Sequence, residues 1–118
     1  MSDRPVVARG PFVHVEATLR AAAQFRRRLW DWRPTIVVYR PEEQLLWHDP
    51  GAGIVFADSP EHADIDVPFR GALRFLDWPH PRCDPFAVGD AIAFIEGNTA
   101  VATGRILAIE ASDEVGTY

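Results

Sequence analysis

Cysteine is all but missing: Cys83 is the only one in 118 residues, so no internal disulfide can form and nothing calls for an oxidising compartment. Lysine is absent, leaving arginine to carry the positive charge. No apolar run approaches the ~20 residues of a membrane-spanning helix. Met1-Ser2-Asp3-Arg4-Pro5 opens no stretch that reads as a secretory signal, and the expected compartment is the cytoplasm. The phosphate loop Gly-x-x-x-x-Gly-Lys-Ser/Thr does not occur, which excludes a P-loop nucleotide hydrolase. Ser2, Ser59 and Ser112 lack the glycine-flanked setting of a nucleophile elbow. Neither His62 with Asp64 and Asp66 nor His80 with Cys83 has the tight paired spacing of a zinc site. A catalytic Cys83–His80 pair finds no third, orienting group. No catalytic residue, cofactor or metal is therefore expected, and the chain reads as non-enzymatic.

What is present is an ordinary globular composition, 47% hydrophobic and 25% charged. The length suits one domain. Its core is expected over about residues 12–110, with flexible ends at 1–10 and 111–118. Charge is distributed unevenly. Residues 1–40 hold eight arginines against three acids, and residues 41–118 hold four arginines against fourteen acids. The chain can thus present a basic and an acidic face, unless folding interleaves the two halves and averages the field.

The periodicity is that of strands. Val13, Val15, Ala17 and Leu19 alternate with His14, Glu16, Thr18 and Arg20, placing four apolar side chains on one face. Pro11 suits the entrance of that strand. Further strands are read at residues 35–39, 45–47 and 54–56, along 65–76 with Gly71 interrupting, and at 91–95 and 100–109. Residues 96–99, Glu-Gly-Asn-Thr, form a hairpin loop. Residues 21–32 divide the signals: alanine and arginine favour helix, with Phe25, Leu29 and Trp32 at helical spacing, but no capping residue precedes Ala21. Short strands separated by turns predict an all-β fold, with either one short helix or an ordered loop near 21–32.

Three groups of residues carry a family resemblance. Pro85-Phe86-Ala87-Val88-Gly89-Asp90, Phe94-Ile95-Glu96-Gly97 and Val101-Ala102-Thr103-Gly104-Arg105-Ile106-Leu107 follow one another in a run that resembles the last domain of elongation factor Tu. His14-Val15-Glu16-Ala17-Thr18-Leu19 resembles that domain's first strand, and Tyr39-Arg40-Pro41 its Gly-Tyr-Arg-Pro-Gln motif. The resemblance spans about residues 12–110 and implies a six-stranded antiparallel closed β-barrel, standing alone without a GTPase domain. It also implies a translation-related role, because that domain touches tRNA and protein partners. Glu96 and Gly97 match the tRNA-facing hairpin, but Asn98-Thr99-Ala100 replaces its Gly-Arg-Thr and Glu42 replaces the motif's Gln. Both changes weaken phosphate binding, which depends on cations.

The candidate recognition residues are Arg26, Arg27, Arg28, Trp30 and Trp32, with Tyr39, Arg40, Glu96 and Gly97. Arginine holds phosphate and tryptophan stacks on bases, yet the same pair of residue types is enriched at protein interfaces. With a net charge of −5, a protein partner is expected ahead of tRNA, and neither DNA nor a membrane is expected. Asp64 and Asp66 mark an acidic face that suits the alternative reading, an inhibitor or immunity-type protein sequestering a basic partner.

Overall fold

The computed structural model describes residues 5–39 and 51–118. Alternation along the first segment becomes β1 (Val7–Leu19), whose Val13, Val15, Ala17 and Leu19 are fully buried. It hydrogen-bonds on both edges, to β6 (Phe69–Phe75) on one side and β8 (Thr99–Glu110) on the other. The remaining wall runs from β6 through β4 (Ala52–Asp58), β3 (Thr35–Val38) and β7 (Ala91–Glu96) back to β8, every pairing antiparallel. The six strands therefore form a closed β-barrel, which removes the open edges a sheet must otherwise protect. Two short strands, β2 (Arg27–Arg28) and β5 (His62–Ala63), pair outside it.

Inward positions alternate along each strand and meet in one core that includes Val15, Ile36, Ile54, Leu73, Ile92 and Ile106. Aromatic rings fill both ends. Around the start of β6, Trp32 stacks on Phe56 at 6.0 Å and on Phe94 at 5.5 Å, with Phe69 edge-on to Phe56. Around its far end, Phe75 packs against Trp78 at 6.1 Å and Phe86 at 5.5 Å.

Several expectations change in detail. Residues 21–32 form no α-helix: two 3-10 turns, Ala21–Ala23 and Leu29–Asp31, flank β2, and neither has a side-chain cap. The uncapped start and Gln24 at φ 68° leave helix propensity nothing to propagate from. Pro11 lies inside β1 instead of at its entrance, within the stretch between Arg9 and Val13 where the register with β6 slips and a missing N–H is tolerated. The alternation from residue 65 becomes strand only at Phe69, because Asp66 takes φ 65° and Pro68 donates no hydrogen bond. At the ends, β9 (Gly116–Thr117) lies against Val7 and Ala8, and Val6 and Tyr118 exchange two 2.8 Å backbone bonds, while residues 111–115 form no strand. The strand expected at 45–47 lies outside the described residues. No helix among the described residues is long and apolar enough to cross a membrane.

Candidate binding face

The Trp32 end of the barrel gathers most of the residues singled out from sequence. The two-residue ladder of β2 with β5 opposes Arg27 to Ala63 and Arg28 to His62, laying the arginine run beside the acidic segment that follows β4. Arg26 Nε then lies 3.0 Å from Asp64 Oδ1. Arg28 donates to Asp31 at 3.0 Å and to Glu61 at 3.3 Å. At this end of the barrel, the basic and acidic residues that the sequence separates are thus interleaved.

Arg27 turns inward along the same ladder. Its Nε and Nη2 donate to the two oxygens of Glu96 at 2.9 and 2.8 Å, a bidentate pair, and further N–H groups reach the carbonyls of Ala23 and Phe25. Trp32 Nε1 donates to the same carboxylate at 2.5 Å. The Arg27 hydrogen bond holds the Glu96 carboxyl below the usual glutamate range, with partial burial opposing and Trp32 assisting. Glu96 in turn raises Arg27 above the ordinary arginine value. Arg27, Trp32 and Glu96 therefore fasten the 20–34 connection to the β7–β8 hairpin, and the Trp32 ring is core, 7% exposed.

The same connection also exposes two aromatic side chains. Phe25 is 71% exposed and Trp30 50% exposed. Trp30 is held in place, its Nε1 donating to the Ser59 carbonyl at 3.3 Å and the Arg28 guanidinium lying 5.6 Å over its ring. Val67, after β5, is also exposed. Gly97, at φ 60° with open space around it, makes the hairpin turn that positions Glu96. Tyr39 is half-buried, and its backbone N–H donates to the Ala91 carbonyl at 2.8 Å. Asp66 is exposed, and its backbone N–H reaches the Leu19 carbonyl at 2.9 Å. Arg40 lies outside the described residues.

The remaining chemistry is dispersed. Among the described residues no three His, Cys, Asp or Glu side chains group as a metal-binding set. Cys83 is buried, and desolvation pushes its thiol up, away from the reactive thiolate. A groove of about 530 Å³ on the outer wall is lined by His14, Asp58, Ser59, Arg70 and Ala72. Its His14 already meets Glu110 at 3.1 Å and its Arg70 meets Glu16 at 3.1 Å. Sequence reading passed over Arg74, a buried arginine on the outer side of β6. Its position in the strand alternation is polar and unremarkable, and its surroundings come from distant segments, the Gly10 backbone, the Phe12 ring and residues 111–118. No protein-family model, no curated protein and no solved structure matches the chain.

Proposed function

We propose that this chain is a non-enzymatic β-barrel binding module that recognises another protein through the Phe25–Trp30 face. One observation carries the reading: the connection exposes two large aromatic side chains, Phe25 at 71% and Trp30 at 50%, beside the paired Arg28 and Glu61. Aromatics flanked by arginine form the anchor chemistry of interface hot spots, and the bond that already holds Trp30 to the Ser59 carbonyl reduces the ordering cost of binding there. A protein is favoured over tRNA because Arg26, Arg27 and Arg28 each already hold a carboxylate, leaving little cationic surface for phosphate. On this reading the barrel is a stand-alone counterpart of the third domain of elongation factor Tu, with a translation-related partner, working in the cytoplasm without a cofactor.

The test is cross-linking of the full chain in cell extract, comparing wild type with Phe25→Ser/Trp30→Ser and with Val88→Ser. Val88 is equally apolar and exposed but precedes β7 at its opposite end. A discrete protein adduct lost in the double variant and kept in Val88→Ser is the expected result, together with no retention of bulk tRNA in filter binding at low salt. Steeply salt-dependent tRNA retention would replace the protein reading with an RNA one. A basic protein whose capture survives the aromatic substitutions and disappears with Asp64→Asn/Asp66→Asn would replace it with sequestration of a cationic partner.

A further inference from the structure

Arg74 is 1% exposed and carries a full positive charge, yet every group that it meets among the described residues is neutral. Its Nη1 donates to the Tyr118 hydroxyl at 3.1 Å, and its Nη2 donates to the Gly10 carbonyl at 2.9 Å and to the Glu114 carbonyl. The guanidinium carbon lies 4.5 Å over the Phe12 ring. Its Nε is buried and finds no partner among the described residues. A buried guanidinium is best satisfied by a carboxylate, which accepts two parallel charge-assisted bonds; dipoles alone offset its lost hydration less well.

The receptor around it is built by several elements. Gly10 takes φ 82°, and its bare α-carbon lets the Trp78 ring pack directly against the backbone whose carbonyl Arg74 binds. The cover comes from residues 111–118. This segment leaves β8 after Glu110 and returns as β9, which matches only Val7 and Ala8 of β1. A side chain on Gly116 would overlap the Tyr118 ring, so that ring folds back over a bare backbone to reach Arg74. The segment brings the acids Asp113 and Glu114, but it presents to Arg74 the Glu114 carbonyl and not its carboxylate.

We propose that the β1 edge at residues 6–8 and Arg74 form a docking site for an extended peptide strand bearing a carboxylate, and that residues 111–118 occupy it as an internal stand-in. Strand addition to β1 supplies the backbone hydrogen bonds, as β9 does now, and the carboxylate supplies the anion that the stand-in lacks. Tethering gives the internal segment an effective concentration on the order of millimolar, so an external strand competes only when its anion adds to the ladder.

The test uses the full chain carrying Gly116→Val, which drives the Tyr118 ring off Arg74, and two fluorescent peptides. One has the sequence of residues 111–118; the other carries 4-carboxyphenylalanine in place of Tyr118, putting a carboxylate where the hydroxyl lies. Fluorescence anisotropy is expected to show the carboxylate peptide binding about tenfold more tightly than the tyrosine peptide, with weaker binding of both to wild type. The Arg74→Met change in the Gly116→Val background is expected to erase the difference between them. Equal affinities, or binding of neither peptide to the Gly116→Val chain, would overturn the proposal and leave Arg74 a purely structural clamp. The comparison of the two peptides needs no Arg74 variant, so it stands whether or not Arg74→Met folds.

Discussion

Glu96 shows how one side chain can be legible as special in the sequence and still serve an unforeseen purpose. The Glu-Gly hairpin marks it as exposed and free for a partner, whereas the arginine across the barrel end, 69 residues away, takes both its oxygens. No local pattern encodes that distance. Because the folded carboxyl is held below its ordinary value of ~4.3, the pair contributes fully above that pH. The contribution is lost as pH falls through the lower folded-state value. Glu96→Gln is therefore expected to lower stability by about 1–2 kcal/mol in urea titrations at pH 7, with the gap to wild type closing under acid. Trp32→Ala removes the stacked plug between Phe56 and Phe94 and is expected to cost about 3–5 kcal/mol in the same titration. Gly10→Ala forces a side chain into φ 82° against Trp78, and thermal unfolding should register a loss of about 1–3 kcal/mol.

Among the elements, the strands with clean period-two alternation were readable. Val13 to Leu19, residues 91–95 and the 96–99 hairpin all fall where the pattern places them. The unreadable elements are those whose conformation is imposed from elsewhere. The 20–34 connection takes its shape from Arg27 and Trp32 reaching Glu96, not from alanine propensity. The tail, polar and rich in turn formers, is held by Arg74 and the β1 edge. Its two-residue ladder makes it the segment of the seam with the least pairing, and amide exchange at Val6 and Tyr118 is expected to outrun that at Val15 and Ala17 by at least an order of magnitude. In the 20–34 connection, Phe25 and Trp30 are exposed and lie outside the buried core. Phe25→Ser/Trp30→Ser loses the Trp30–Ser59 bond and the Arg28 contact but no core residue, and is expected to cost about 1–2 kcal/mol with the cooperative unfolding transition kept, which separates a loss of binding from a loss of fold.

At the scale of the whole molecule, the two oppositely charged halves of the chain become partners across the β2–β5 ladder. The asymmetry plain in the sequence leaves no matching separation on that face. The same lesson applies to topology. Alternation and turn spacing were enough to announce an all-β chain, while closure depends on which distant strand lies beside β1. That strand's registers join residues 13–17 to 69–73 and 12–19 to 102–110, so the last wall of the barrel is sealed by contacts spanning most of the chain. Sealing of this kind is slow, because the entropy of a long chain loop is spent before any ladder rewards it. The β7–β8 hairpin, by contrast, needs only the Gly97–Asn98 turn to bring its sides together. Stopped-flow chevrons are expected to place refolding in the millisecond-to-second range. Ile92→Val should retard the refolding limb, and Val15→Ala should chiefly hasten the unfolding limb, so that the chain nucleates late in its sequence and its first strand arrives last.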